Sequence, residues 1–273
     1  MNGKRGKNFR VVPFEKNRKI ILDLLEQGKK RNHVKALVEV DVTDAREFFK
    51  RYKEIKGEKL SFTAWIIYCV AKAIDENIEV NAYRKGRRKI VIFDEVDVGT
   101  IIEREIEGKK IPRKYIIRGA NRKSLIDIHN EIRDVQRKEI SGPILGNKKE
   151  TKFVNIFASL PKFIRKIFWW WTKQKPEFRK KMLGTITVSS VGMCGRTGGW
   201  GIVISSETVH VMIGGIARKP GVVGDEISIR EYLDLTLMAD HSIIDGGPIA
   251  RLLQRLIDLI ESSYGLDDNL LKT

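Results

Sequence analysis

The 273-residue sequence lacks the features that mark membrane-spanning, disulfide-stabilised or metal-binding proteins. It has two cysteines, Cys69 and Cys194, which are too few for a disulfide framework, and no spacing of ligands typical of a metal site. No run of 18 apolar residues is present, so we expect no helix that spans a bilayer. The basic N-terminus is not followed by an apolar stretch, so we expect no secretory signal and a cytoplasmic location.

Acidic residues are in the minority: 35 Asp and Glu stand against 52 Lys and Arg, which gives a net charge of +17. Such an excess favours anionic partners, including nucleic acid, an acidic membrane surface or a phosphate-bearing small molecule. No nucleic-acid-binding motif accompanies the charge, so we expect no nucleic-acid partner. The charge therefore indicates either an anionic ligand or a basic surface that only keeps the protein soluble.

Helical and strand patterns alternate along the chain from residue 13. Residues 61–74 form a strongly apolar helical run, and residues 37–42 alternate between apolar and polar side chains as a strand does. This mixture predicts one α/β domain of packed layers over residues 13–273. We expect residues 1–12 to form a disordered basic arm.

Residues 141–182 differ from their surroundings and are interpreted as an insertion in this domain. Apolar residues recur there at helical spacing, and residues 161–181 contain eight basic side chains but a single acidic one, Glu177. Three consecutive tryptophans, 169–171, lie in the same stretch. A basic, tryptophan-rich amphipathic helix is typical of a membrane interface. The pattern also fits a helix that covers the core or an oligomer contact, or a lid over a pocket.

The chemistry of the chain is expected near its C-terminus. The alternating run 233–239 leads to His241, and Asp245 follows four residues later. A glycine pair that begins at Gly246 closes this turn and permits close approaches that a β-carbon would block. The amphipathic run 249–260 then predicts a helix. Because a histidine titrates near neutrality and can take a proton from a thiol, His241 is the candidate general base.

The stretch His-Ser-Ile-Ile-Asp-Gly at 241–246 resembles the HxxxDG motif of the catalytic domain of dihydrolipoamide acyltransferases, the core component of 2-oxoacid dehydrogenase complexes. Chloramphenicol acetyltransferase shares that motif and fold. Other blocks of the family are matched, in family order, at residues 38–43, 79–82, 96–99, 185–195 and 214–220. The resemblance implies a chloramphenicol acetyltransferase-like α/β fold, an α+β two-layer sandwich with helices on one face of a mixed sheet. It also implies a homotrimer whose active sites lie between subunits.

The resemblance further implies an acyltransferase that moves an acyl group between coenzyme A and a thiol such as dihydrolipoamide, without a metal or an acyl-enzyme. His241 would take the proton of the attacking thiol, and Ser189 of an adjacent subunit would donate a hydrogen bond to the oxyanion. Ser189 could instead be a strand serine that only contacts the backbone. Asp245 and Gly246 would shape the site, and Asp245 could pair with Arg18 of the N-terminal helix.

Two departures from the family pattern limit this interpretation. Ser242 stands where the family usually has arginine, which leaves the base intact but changes the usual substrate contacts. About a dozen residues precede the expected catalytic domain, so we expect no lipoyl domain within this chain. The lipoyl group would then come from a separate lipoyl protein, or the enzyme would use another acceptor.

The sequence is also compatible with two non-catalytic alternatives. The chain could be a catalytically silent trimeric scaffold that keeps the fold for assembly or docking. It could also be a peripheral membrane-associated interaction protein whose tryptophan segment, 169–171, contacts anionic lipid. Neither alternative excludes catalysis.

Overall fold

The computed structural model describes residues 4–5, 8–14, 18–106, 109–137, 155–191 and 197–272. The described strands are β1 (Lys4–Arg5), β2 (Arg10–Val11), β3 (His33–Asp41), β4 (Ala82–Lys85), β5 (Lys89–Ile92), β6 (Val98–Ile106), β7 (Lys109–Ile117), β8 (Ile186–Ser190), β9 (Val209–Val223) and β10 (Glu226–Asp240). The described helices are α1 (Arg18–Gly28), α2 (Thr43–Lys56), α3 (Phe62–Asp75), α4 (Leu125–Arg137), α5 (Lys162–Gln174), α6 (Pro176–Leu183), α7 (Gly246–Glu261) and α8 (Asn269–Lys272). Residues 155–159 are also helical.

Six strands form one mixed sheet in the order β3-β10-β9-β8-β6-β7. Strand β8 runs parallel to both of its neighbours, β9 and β6, and the other pairs are antiparallel. Strands β4 and β5 form a separate hairpin. Helices α2, α3, α4 and α7 share one apolar core with the sheet, which confirms the predicted two-layer architecture.

The alternation of side chains along each strand divides the sheet into two different surfaces. Ile186 and Val188 of β8 and Val209 of β9 belong to the core beneath the helices. Ser189 directly follows Val188 and His210 directly follows Val209, so both lie on the opposite side of the sheet. The segment 197–206 lies against this second side, where a β-carbon at Gly201 would come within 2.8 Å of Met212.

A second, smaller cluster packs α1 against α5 and α6, the helices of the predicted insertion. Its buried apolar members are Ile20, Phe157, Ala158, Trp169 and Leu183. An ion pair between Arg165 of α5 and Asp23 of α1 joins the two helices, with 2.7 Å between Nε and Oδ2. Both side chains are less than a tenth exposed. The first of the three tryptophans is thus a core residue, whereas Trp170 is exposed.

Local sequence patterns predict three further features, which are Ser61 as the N-cap of the apolar helix, a polar connection at 103–113 and a strand at 202–204. The first is confirmed, and the other two are wrong. Ser61 caps α3 by accepting a hydrogen bond from the backbone of Ala64. Residues 103–113, which their polarity suggested to be a connection, mostly continue β6 and β7. Residues 202–204 look like a strand in sequence but pair with none of the strands in the described part of the chain.

Two predicted segments are only partly described. In the basic arm, Lys4–Arg5 pairs with Arg10–Val11, and residues 1–3 and 6–7 lie outside the described part. Residues 141–154 of the insertion and the glycine-rich stretch 192–196 are also outside it. No described helix is both long and apolar enough to cross a bilayer.

Candidate active site

The HxxxDG residues form the turn between β10 and α7, as the sequence predicts. Strand β10 ends at Asp240, and Asp245 is the N-cap residue of α7 in an extended conformation. The backbone N–H of His241 donates to the carbonyl oxygen of Asn32 at 2.9 Å. The His241 side chain is exposed in the single chain, so it is open to a thiol or to another copy of the chain.

Asp240 anchors this turn, and sequence reasoning did not single it out. Its side chain is buried and forms an ion pair with Arg31, with 2.6 Å between Oδ2 and Nη1. The other carboxylate oxygen accepts a hydrogen bond from the backbone N–H of Ser242 at 3.1 Å. Burial opposes ionisation, but Arg31 and Ser242 lower the pKa of Asp240 overall. The fixed carboxylate therefore holds the backbone on both sides of His241.

Ser242 also takes part in ordering the turn rather than leaving it loose. Its hydroxyl oxygen accepts a hydrogen bond from the side-chain amide of Asn32 at 3.0 Å. The same Asn32 accepts from the His241 backbone through its carbonyl oxygen. Asn32 thus contacts the turn twice, and Ser242 contributes one of these contacts.

Ser189 lies at the start of a buried chain of polar side chains. Its hydroxyl oxygen is 2.7 Å from Nε2 of His210 on the neighbouring strand. Nδ1 of His210 is 3.1 Å from the hydroxyl of Ser205, which donates to Oε2 of Glu207 at 2.9 Å. Glu207 also forms an ion pair with Lys114 at 2.8 Å. The sequence predicted Ser189 as a site residue, whereas the pattern around His210 indicated only an alternating strand.

The charges of the side chains in this hydrogen-bonded network determine which atom donates and which atom accepts in each contact. Burial opposes ionisation of Glu207, but Lys114, His210 and Ser205 hold its pKa well below the usual range, so it only accepts hydrogen bonds. The proton of Ser205 therefore goes to Glu207, and Nδ1 of His210 must donate to Ser205. Burial lowers the pKa of His210 to about 4, which keeps the ring neutral at pH 7. Nε2 is then an acceptor, and Ser189 donates its hydroxyl proton to it.

Ser189 and His241 do not meet within one chain. Ser189 pairs with Met212 on β9, and Met212 pairs with Thr236 on β10, five residues before His241. With about 3.3 Å per residue along a strand and about 4.8 Å between strands, the two residues are roughly 19 Å apart. A hydrogen-bonded intermediate cannot bridge that distance, so a site that uses both residues needs a second copy of the chain.

The remaining predicted residues contribute little in the single chain. Arg18 is exposed at the first position of α1, and no ion pair or hydrogen bond joins it to Asp245 among the described residues. A β-carbon at Gly246 would meet no described atom within 4 Å, so no contact within the single chain requires a glycine there.

Comparison with protein families gives a match over most of the chain. Residues 6–147 and 173–266 match the model of the 2-oxoacid dehydrogenases acyltransferase (catalytic domain). The dihydrolipoyllysine-residue acetyltransferase component of the pyruvate dehydrogenase complex from Rickettsia felis is 28% identical, over 93% of this chain and 54% of that protein. The lipoamide acyltransferase component of the branched-chain alpha-keto acid dehydrogenase complex from Bacillus subtilis is 23% identical, over 92% of this chain and 52% of that protein. The chain thus spans about half the length of the curated relatives that it matches.

Solved structures show the same fold. A probable dihydrolipoamide acetyltransferase from Listeria monocytogenes superposes with a TM-score of 0.67 at 22% identity, covering 94% of this chain and 96% of that one. The Azotobacter vinelandii dihydrolipoamide acetyltransferase superposes with a TM-score of 0.68 at 20% identity, covering 95% of this chain and 94% of that one. In that enzyme the catalytic roles of a serine, a histidine and an asparagine were investigated.

Proposed function

Because this chain belongs to the family of 2-oxoacid dehydrogenase acyltransferase catalytic domains, we propose that it moves an acyl group between coenzyme A and a thiol acceptor similar to dihydrolipoamide. In this proposal His241 is the general base, and Ser189 donates a hydrogen bond to the oxyanion. Asp245 shapes the turn, and Ser242 and Asn32 hold it.

The observation that carries the proposal is the spacing of three residues. In the Azotobacter vinelandii enzyme, the investigated serine precedes the histidine by 52 residues, and the asparagine follows the histidine by four. Ser189, His241 and Asp245 have the same two spacings. The family match includes all three positions. This agreement supports the assignment of the three residues to the corresponding roles.

The reaction then proceeds by direct attack on the thioester. An imidazole nitrogen of His241 takes the proton of the incoming thiol, and the resulting thiolate attacks the carbonyl carbon of the acyl thioester. The carbonyl oxygen becomes an oxyanion, and the Ser189 hydroxyl turns its single proton from Nε2 of His210 to this oxygen to donate a hydrogen bond. When the intermediate collapses, the carbon–sulfur bond to the leaving thiol breaks, and protonated His241 returns the proton to that sulfur.

We propose that the two halves of the site come from different copies of the chain in a cyclic trimer. The separation of roughly 19 Å between Ser189 and His241 within one chain supports this arrangement, as does the exposure of His241. A closed ring of identical subunits repeats one interface at every junction, so a single pairing of His241 with the neighbour's Ser189 completes all of the sites. The site is therefore incomplete in a monomer.

The insertion and the source of the lipoyl group are part of the same proposal. The family match is interrupted at residues 148–172, within the tryptophan-rich segment of 141–182, which supports an insertion in a single catalytic domain over 13–273. We propose that the acceptor thiol is presented to this domain by a separate lipoyl protein.

The test is acyl transfer from acetyl-coenzyme A to dihydrolipoamide by the purified chain, followed by release of free coenzyme A. His241→Ala should lower kcat/KM by about 10²- to 10⁴-fold, the usual contribution of a general base. Ser190→Ala serves as the control for Ser189→Ala, because Ser190 is exposed on the same strand and should leave activity unchanged. Unchanged transfer in His241→Ala would overturn the mechanism, and a trimer without any transfer would favour the silent scaffold.

A membrane role is a second candidate, favoured by one face of α5. Phe163, Ile167 and Trp170 are each more than three-fifths exposed there, next to lysines that suit an anionic surface. Co-sedimentation with vesicles containing phosphatidylserine tests it. Binding that is lost in Phe163→Ser/Ile167→Ser at low salt would support it, and absence of binding by the unaltered chain would exclude it.

A further inference from the structure

A cavity of about 330 Å³ opens beside the turn that carries His241. Four parts of the chain line it: the end of α1, the turn between β4 and β5, helix α5 of the insertion, and residues 240–243. Its polar and aromatic lining includes Lys30, Arg31, Arg84, Arg87, Trp170 and Lys173. The cavity therefore connects the insertion to the proposed catalytic turn.

Positive charge in this cavity greatly exceeds negative charge. Five of its lining residues are cationic, and the single carboxylate, Asp240, is already engaged by Arg31. Lys30, Arg87 and Lys173 have no carboxylate partner in the part of the chain that the structure describes. Burial lowers the pKa of Lys173, and the neighbouring cations Arg179, Arg31 and Lys30 lower it further. Cations that crowd together in this way favour an anionic ligand.

The cavity walls are ordered by contacts that need no ligand. Arg84 donates to the carbonyl oxygens of Gly86 and Arg87 at 3.0 and 3.2 Å, which fixes the hairpin turn. Gly86 has a φ of +63°, and a β-carbon there would lie 3.1 Å from the side-chain oxygen of Gln174. The turn and α5 are thus in contact, so the insertion completes one wall of the cavity.

Trp170 adds an aromatic surface to the cationic lining. It is 63% exposed, whereas the neighbouring Trp169 is buried in the cluster of α1, α5 and α6. An exposed indole beside arginines is suited to stack on a nucleobase while the arginines bind phosphates. A nucleotide supplies both a flat ring and phosphates, so one ligand can use both features.

We propose that this cavity binds the phosphate-bearing nucleotide end of the acyl thioester, with Lys30, Arg87 and Lys173 on the phosphates and Trp170 against the base. This inference rests on the proposed function, because the acyl end must then reach His241. Asp240 and Ser242, on either side of His241 in sequence, line the cavity, so a molecule bound there lies against the turn that carries His241. The insertion thereby becomes part of the substrate site.

The experiment compares two thioesters that differ only at the proposed contact. Acetyl-coenzyme A carries the nucleotide and its phosphates, and acetyl-pantetheine lacks both. In the full chain, Arg87→Ala/Lys173→Ala should raise KM for acetyl-coenzyme A by about 10-fold or more, as expected for lost charge-assisted contacts. For this double variant, kcat with both thioesters and KM for acetyl-pantetheine should stay unchanged. Lys50→Ala/Lys53→Ala removes two lysines that line a separate cavity at α2 and is the matched control.

Binding of adenosine 3′,5′-bisphosphate, measured by calorimetry, separates this inference from the proposed function. The unaltered chain should bind it, more weakly at high salt, and Arg87→Ala/Lys173→Ala and Trp170→Ala should bind it at least 10-fold more weakly. Binding without any acyl transfer would support the cavity and overturn the proposed function. No binding by the unaltered chain, or an equal rise in KM for both thioesters, would overturn the cavity assignment.

Discussion

The hydroxyl oxygen of Ser189 lies 2.7 Å from Nε2 of His210, and both side chains are buried on the side of the sheet opposite the main helices. The other described partner of this hydroxyl is the sulfur of Met212, at 3.4 Å. His210 is therefore the group that fixes the position of Ser189. The His210 ring is in turn held by Ser205, whose hydroxyl is hydrogen-bonded to Glu207.

We expect the effects of Ser189 and His210 on catalysis to be coupled. Ser189→Ala should lower kcat by about 10²- to 10³-fold, because it removes an oxyanion donor. His210→Ala should lower kcat about tenfold with KM unchanged, since the hydroxyl can then turn towards Met212. In the double variant the second change should add nothing. Steady-state kinetics of the four proteins test this, and independent, multiplying effects would refute a positioning role for His210.

The stability of the protein should fall on acidification because of His210. Its pKa is lowered to about 4 in the folded chain, against about 6.5 when unfolded, so between these values the unfolded state binds the extra proton. Stability from this group is complete above pH 6.5 and is lost as the pH falls towards 4. Between pH 7 and pH 5 the loss should be about 2 kcal/mol. Urea unfolding at both pH values should show a smaller loss in His210→Gln, and an equal loss would contradict the account.

The buried pair of Asp23 and Arg165 should anchor the insertion. Asp23→Ala leaves the Arg165 guanidinium buried without its carboxylate and should cost about 3 kcal/mol of stability. Asp23→Ala/Arg165→Met should recover most of this loss, because no unpaired charge remains. Thermal and urea unfolding measure both variants. Glu26→Ala, which removes a surface partner of Lys162 on the same two helices, is the control and should change stability little.

Two outcomes of the Asp23 series would argue against a structural anchor. One is a double variant that is as unstable as Asp23→Ala alone. The other is a loss in Glu26→Ala as large as that in Asp23→Ala.

Local patterns in the sequence were sufficient to predict much of the fold and part of the candidate site. Ser61 caps α3 as expected from its type and position, and alternation placed Ser189 in β8. The strand, turn and helix around His241 follow from periodicity and from the residues between them. These features depend on neighbours in sequence, which a single sequence shows directly.

Contacts between distant residues could not be read in the same way. His210 and Ser189 are 21 positions apart on adjacent strands, and Arg31 and Asp240 are 209 apart. Nothing in the local pattern of His210 distinguishes it from another strand residue. Residues 103–113 lack alternation in sequence, but the ladder of β6 and β7 uses backbone groups that are present whatever the side chains are, so the pairing continues there.

The most direct test of the central claim, that His241 and Ser189 of different copies form one site, is mixing two inactive variants. His241→Ala and Ser189→Ala are co-expressed in equal amounts, and acyl transfer is measured on the purified mixed oligomer. In a cyclic trimer, about one quarter of the interfaces then combine an intact His241 with an intact Ser189. We expect recovery of about one quarter of the unaltered activity. Activity no higher than that of either variant alone, in an oligomer shown to contain both chains, would contradict it.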